Sequence, residues 1–261
     1  MEHYLGVAVS ISTYAFLFLG EYCMTFELIP KWFIDKKEVT YCGYIWFALF
    51  QIFFVLAIVS HLKATFMEPG YTPKFPVPGD IPIEKIRYCE KCDQWKPDRT
   101  HHCRACKKCI HRMDHHCPWI NNCVGAKNQK FFACFLFYVF LCCLEVISIM
   151  IYIVFLYFGL KDKTFKDGLV SLLVSVFTGV IASVFLVFTA TMFYDQIEVI
   201  ISNQTEVEKM GNLIGTEKSV MQNLKESLGT FPLNWFNPFV DSPDPDYSEV
   251  LYSCKDKTKK E

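Results

Sequence analysis

Asp114-His115-His116-Cys117 closes a cluster that runs from Cys89 to Cys123. Seven of the chain's thirteen cysteines (Cys89, Cys92, Cys103, Cys106, Cys109, Cys117 and Cys123) crowd into this stretch with five histidines. Disulfides have no use for histidine, whereas tetrahedral metal sites use both residue types. The pairs Cys89-x2-Cys92 and Cys103-x2-Cys106, followed by Cys109 and Cys123, have the ligand spacing of structural zinc sites. So short a loop, with little aliphatic content, cannot build a core of its own, and metal binding would supply much of its folding free energy. Two tetrahedral sites take eight ligands. The seven cysteines together with His102 and His116 offer nine, so one is left over. Spacing alone does not say which. Cys117 is favoured because Asp114 and His115 precede it: an Asp that fixes one imidazole nitrogen leaves the other free to accept a thiol proton.

Outward from the cluster the chain turns apolar. It is 52% hydrophobic with 25 Phe and has a mean hydropathy of +0.22, which points to a membrane protein. Four stretches reach the roughly 20 residues that a helical span needs: Tyr4 to Ile29, Tyr41 to Met67, Phe131 to Leu160 and Leu169 to Tyr194. Runs such as Ile45 to Val59 and Leu169 to Met192 are apolar all round, unlike surface helices of a soluble protein. Glu2 and His3 supply no basic n-region and no small-residue cleavage site follows, so the first run reads as a retained span. With 26 Lys plus Arg against 27 Asp plus Glu, the charge balance does not advertise nucleic acid as a partner.

The fold class expected is thus an α-helical polytopic membrane protein, four transmembrane helices with a two-zinc cysteine-rich domain between spans 2 and 3. The connector 68–130 holds about half of the basic residues, with Arg112, Lys127 and Lys130 close to the third span. This places the cluster (core 87–130) in the cytosol, and both termini with it. Pro69-Gly70 ends the second span, and Pro73, Pro76, Pro78, Gly79 and Pro82 make an extended linker. Residues 195–240 form a C-terminal region: Asp195 to Asn212 continues helically, and Leu213 to Phe239 is mixed, with Trp235 and Phe236. Asp241 to Glu261 reads as a polar, disordered tail. Within the spans, Glu145 should face protein or water. Glu21 and Glu27 read as interfacial, His61 and Lys63 as snorkelling groups, and Cys134, Cys142 and Cys143 as small buried apolar residues.

The run Cys89-x2-Cys92-x9-His102-Cys103-x2-Cys106-x2-Cys109-x4-Asp114-His115-His116-Cys117-Pro118-Trp119-x3-Cys123-x4-Asn128 resembles the cysteine-rich domain of the DHHC family of protein S-acyltransferases. The resemblance extends to four spans with this domain between the second and third. It implies one zinc on Cys89, Cys92, His102 and Cys109 and a second on Cys103, Cys106, His116 and Cys123. It also implies Cys117 as the nucleophile that carries the acyl group, His115 as its base and Asp114 as the residue orienting that base. Acyl-CoA, palmitoyl-CoA in particular, is the implied co-substrate, and cytosol-facing cysteines of membrane-associated proteins are the acceptors. Trp119 is then expected near the start of an acyl chain lying among the helices, and Lys96, Arg99 and His101 near the CoA phosphates. Outside the core, Glu68-Pro69-Gly70 stands where the family has Asp-Pro-Gly. Thr205-Glu206-Val207-Glu208 resembles its Thr-Thr-x-Glu motif without the second Thr, and Asn223 with Leu228-Gly229 its C-terminal Asn element. Glu206 to Glu208 and Asn237-Pro238-Phe239-Val240 look most like the Golgi-type subgroup. Lys257-Thr258-Lys259-Lys260-Glu261 resembles a dilysine retrieval signal, so Golgi and endoplasmic reticulum are the expected compartments.

Two other function classes remain open on residues alone. A membrane-anchored zinc adaptor of the RING type would make Cys117 structural. A nucleic-acid zinc finger is disfavoured, because the module is short, tethered between spans and lacks a recognition helix.

Overall fold

The computed structural model describes residues 2–30, 40–74, 87–159, 168–211 and 217–245. Four helices are each long and apolar enough to cross a membrane. Helix α1 (Glu2–Tyr22) passes into a π-helical stretch, Cys23–Leu28. Helix α2 is Thr40–Phe66, α3 is Gln129–Gly159 and α4 is Gly168–Ser202. The apolar runs stop where the helices do, with one exception. Helix α4 continues past Tyr194 only as far as Ser202, so the helical reading of Asp195 to Asn212 holds in part: Asn203 turns the chain in the left-handed region (φ 51°) and a separate short helix, Glu206–Met210, follows.

The chain divides into two compact units. One comprises residues 10–60 and 133–196, the greater part of the four helices. Its core gathers Met24, Leu28, Phe50, Cys142, Val146, Ile149 and Ile153. Half of the membrane-spanning part of α3 is buried, against about a fifth in each of the others, so α3 is the central helix of this unit. Cys134 and Cys142 are buried with their apolar neighbours and Cys143 is partly so. Glu21 has partners within the protein: its Oε1 accepts hydrogen bonds from Thr25 Oγ1 (2.8 Å) and Gln51 Nε2 (2.9 Å). Such an exchange between helices satisfies groups that lipid cannot. Glu145 Oε2 is buried without a hydrogen-bond partner among the described residues.

The other unit holds residues 1–9, 61–132 and 197–261, and so includes one end of every span. Its middle is three two-stranded antiparallel hairpins in succession: β1 (Tyr88–Cys89) with β2 (Gln94–Trp95), β3 (Thr100–Cys103) with β4 (Lys108–His111), and β5 (His115–Cys117) with β6 (Asn122–Val124). Strands of two to four residues have no stability of their own. Each hairpin reverses through a non-glycine residue in the left-handed region, Asp93 (φ 50°), Lys107 (φ 54°) and Asn121 (φ 46°). Asn and Asp tolerate this conformation, but a lysine does so at a cost of about 1–2 kcal/mol, so something beyond the local sequence must hold the hairpins.

Two asparagines dock the hairpins on α2. The last carbonyls of a helix lack intrahelical donors. Asn122 Nδ2 donates to the carbonyls of Ala64, Thr65 and Met67 (2.9–3.1 Å), and Asn128 Nδ2 to those of Ala64 (3.0 Å) and Cys123 (2.8 Å). His61, expected to snorkel, is instead fully buried, with Nε2 3.0 Å from the Trp119 carbonyl. Gly125 lies where Pro69 crosses the module: a Cβ there would sit 2.5 Å from the Pro69 carbonyl oxygen and 2.8 Å from Ile110 Cγ2.

Beyond α4 come α5 (Glu206–Met210), α6 (Val220–Leu228) and a 3-10 turn, Pro232–Asn234. The polar tail does not begin free at Asp241. Asp241 pairs with Lys63 at 2.6 Å, so this lysine does not simply snorkel, and Asp244 pairs with Lys127 at 3.3 Å. The Lys257–Glu261 signal and Pro76, Pro78, Gly79 and Pro82 lie outside the described residues.

Candidate active site and metal centres

The hairpins carry the metal-ligating residue types, six on their strands and two, Cys92 and Cys106, in their turns. Cys89, Cys92, His102 and Cys109 bring one ligand atom each within 4.8 Å of one another, and so do Cys103, Cys106, His116 and Cys123. In the first quartet His102 Nδ1 lies 3.2 Å from Cys92 Sγ and 3.6 Å from Cys89 Sγ. In the second, His116 Nδ1 lies 3.8, 3.4 and 3.6 Å from the sulfurs of Cys103, Cys106 and Cys123. A zinc tetrahedron with bonds of about 2.1 Å to nitrogen and about 2.3 Å to sulfur has edges of about 3.5–3.8 Å. Both quartets fit that donor set and size. The Cys103 and Cys106 sulfurs hold His116 above its ordinary value.

Eight of the nine candidate ligands are thus gathered, and Cys117 stands outside both groups. It is buried at the end of β5, two residues from His115 on the same strand. His115 Nδ1 is 2.8 Å from Asp114 Oδ2, and Nε2 is buried with no hydrogen bond among the described residues. Burial works against the imidazolium, but the Asp114 carboxylate and the Cys117 sulfur together hold His115 at about 9. The ring packs edge-on against Phe132 in the first turn of α3, with centroids 5.5 Å apart, which fixes its plane. One imidazole nitrogen is therefore held by a carboxylate while the other is left to the thiol. An arrangement of this kind can activate a cysteine nucleophile.

Asp114 is itself held. Its Oδ1 accepts a hydrogen bond from the backbone N–H of Glu206 at 2.8 Å, and its own N–H donates to the Val124 carbonyl. Glu206 is the first residue of α5, and Thr205 caps it: Thr205 Oγ1 accepts from Glu208 N while Glu208 Oε2 accepts from Thr205 N. This is a capping box, which satisfies two otherwise orphaned donors.

The same Glu208 receives Arg99: Nε to Oε1 at 2.7 Å and Nη2 to Oε2 at 2.8 Å. Arg99 also donates to Asn203, through Nη1 to Oδ1 (2.9 Å) and Nη2 to the carbonyl (2.7 Å). Both Arg99 (φ 60°) and Asn203 (φ 51°) are in the left-handed region, a strain that the network around them must offset. Burial would raise the Glu208 carboxyl, yet Arg99 brings it below its ordinary value. Arg112 lies in the same field, and burial with the Arg99 charge lowers it to about 10. Arg99, expected to meet a CoA phosphate, instead commits its guanidinium to this latch. Sequence reasoning missed the latch, because Arg99 and Glu208 are 109 residues apart and no local pattern links them.

The other expected acyl-CoA contacts are placed as follows. Lys96 and Trp119 are partly exposed. His101 has its Nε2 buried without a hydrogen bond among the described residues, and burial together with Arg87 lowers it to about 4, leaving it neutral.

Residues 83–212 match the family described as DHHC palmitoyltransferase. The chain is 33% identical over 254 residues to palmitoyltransferase ZDHHC3-A of Danio rerio, covering 90% of this chain and 77% of that one. It is 33% identical over 255 residues to palmitoyltransferase ZDHHC3 of Homo sapiens (92% and 82% covered), and 32% identical over 255 residues to palmitoyltransferase ZDHHC7 of Rattus norvegicus (90% and 79%). By its match over residues 83–212 and its likeness to these relatives over most of its length, the chain belongs to the DHHC palmitoyltransferase family.

Proposed function

We propose that Cys117 carries a palmitoyl group as a thioester between palmitoyl-CoA and a cysteine of a target protein. Membership of the family makes the protein a protein S-acyltransferase. What supports Cys117 as the carrier is one observation: it is the cysteine of the cluster outside both quartets, beside a histidine whose far nitrogen is held by Asp114.

In the first step the Cys117 proton passes to His115 Nε2, and the sulfur attacks the thioester carbonyl of palmitoyl-CoA. The carbon–sulfur bond to CoA breaks and CoA leaves as a thiol, taking the proton from His115 Nε2 and so restoring the neutral base. In the second step a target thiol, its proton accepted by His115, attacks the Cys117 thioester, and Cys117 is released. Asp114 keeps the histidine in the productive tautomer and offsets its charge. His101, Lys96 and Trp119 remain proposed contacts of the acyl-CoA. Zinc would be held by Cys89, Cys92, His102 and Cys109, and by Cys103, Cys106, His116 and Cys123, where it would supply the folding free energy that short hairpins lack.

The basic residues of 68–130 support a cytosolic site, where acyl-CoA and target cysteines are found. The resemblance of Asn237-Pro238-Phe239-Val240 to the Golgi-type subgroup, and of the last five residues to a retrieval signal, support the Golgi and endoplasmic reticulum. Incubation of purified protein with radiolabelled palmitoyl-CoA should leave a hydroxylamine-sensitive label on the wild type and none on Cys117→Ala. Undiminished label on the variant would refute the assignment.

A further inference from the structure

The twelve residues Gly229-Thr-Phe-Pro-Leu-Asn-Trp-Phe-Asn-Pro-Phe-Val240 carry no charge, although Lys225, Glu226 and Asp241 flank them closely. Three of their large apolar side chains point outward. Leu233 is 95% exposed, Phe231 69% and Phe239 64%. Single exposed apolar residues are ordinary on any protein. Three in nine positions, with Trp235 and Phe236 partly exposed between them, make a patch.

The position of this segment follows from what holds it. Lys130 Nζ, from the second residue of α3, donates to the Val240 carbonyl at 2.9 Å. Lys63 Nζ, from the last turn of α2, pairs with Asp241 at 2.6 Å. Asn223, on α6, donates to the carbonyl of Ile201 near the end of α4. Trp235 Nε1 donates to the Gly229 carbonyl, so the segment folds back on the end of α6. Its far end is therefore fastened to α2 through Lys63, in that helix's last turn, and to α3 through Lys130, in its first.

We infer that residues 229–240 form an interfacial element whose Phe231, Leu233 and Phe239 side chains insert into the bilayer leaflet on the side of the zinc module. Tryptophan and phenylalanine flanked by uncharged polar residues suit the boundary between headgroups and acyl chains. The segment has two prolines and two short turns and needs no continuous amphipathic helix, because α2, α3 and α6 position it. Anchored in this way, it would fix the level of the unit that carries Cys117 relative to the acyl chains.

The test is site-specific photocrosslinking of the full chain in nanodiscs of equal parts phosphatidylcholine and phosphatidylserine. Photoreactive p-benzoylphenylalanine replaces Phe231, Leu233 or Phe239 in turn, all exposed positions that leave the fold intact. Ile52, exposed on α2 within a span, is the positive control, and Glu226, on α6 and paired with Lys218, the negative one. Lipid adducts at all three positions, as at Ile52 and absent at Glu226, are the expected result. Protein–protein adducts between copies, no lipid adduct at any of the three while Ile52 reacts, or equal labelling at Glu226 would each overturn the inference.

Discussion

Replacing Glu208 with Gln tests whether the geometry of the reactive histidine is set from across the chain. The substitution keeps the shape of the side chain and removes its charge. Three contacts depend on that carboxylate: two from Arg99, at 2.7 and 2.8 Å, and one from the Thr205 N–H at 2.9 Å. Breaking one side of a buried ion pair costs about 3–5 kcal/mol, and here Arg99 and Arg112 would be left facing each other without their shared anion. The α5 turn should loosen from Arg99, and the Glu206 N–H should lose its aim at Asp114 Oδ1. A hydrogen bond to a charged acceptor contributes about 1.5–3 kcal/mol. At about 1.4 kcal/mol for each factor of ten, Cys117 acylation should slow by roughly 10- to 150-fold. The assay is a single-turnover measurement of acyl-enzyme formation with labelled palmitoyl-CoA, run beside metal analysis. The latch contains no metal ligand, so two zinc ions per chain should remain. A variant with full zinc and an acylation rate within about twofold of wild type would refute the reasoning.

Other outcomes follow from the same contacts. The Arg99–Glu208 pair should not weaken on mild acidification. Glu208 is held below its ordinary value of 4.5, so its contribution is present above that pH and is lost only as pH falls through the lower, folded value. The ratio of wild-type to Glu208→Gln acylation rates should therefore stay constant from about pH 8 to about pH 5, and a ratio that closes within that window would contradict it. Gly125→Ala should destabilise the zinc module by more than the about 1–3 kcal/mol usual for overpacking, because its Cβ meets the Pro69 backbone oxygen at 2.5 Å. Thermal unfolding, read as zinc release, would check it. Asn122→Ala removes the donor to three carbonyls at the end of α2 and should lower that transition as well, leaving the helical signal of the spans unchanged. Chelation of zinc should abolish acylation and expose the hairpin backbone to hydrogen exchange, since strands of two to four residues do not persist alone.

The spans and the density of the metal cluster were legible because their signals are local. An apolar run needs only its own length to declare a membrane helix, and a Cys-x2-Cys pair needs only its own spacing. The partition of the ligands was not readable in that way. Nine candidates for eight places stayed undecided on spacing, and it was the family resemblance that assigned them. What composition hid were the long-range ties. His61 looked like a residue that reaches for water, yet the Trp119 carbonyl gives it a buried partner. Arg99 looked like an anion contact, yet a glutamate 109 residues later takes its guanidinium. Asp241 looked like the start of a free tail, yet Lys63 meets it. A charged side chain declares its charge in the sequence, whereas its partner is chosen by the fold.

The central claim is that Cys117 belongs to the chemistry and not to a metal site. Native mass spectrometry of full-length Cys117→Ser, before and after incubation with palmitoyl-CoA, tests it most directly. The account predicts two zinc ions bound, as in the wild type, and no acyl adduct, where the wild type gains one. Loss of a zinc ion from the variant would place Cys117 among the ligands, and an acyl adduct on the variant would place the carrier elsewhere.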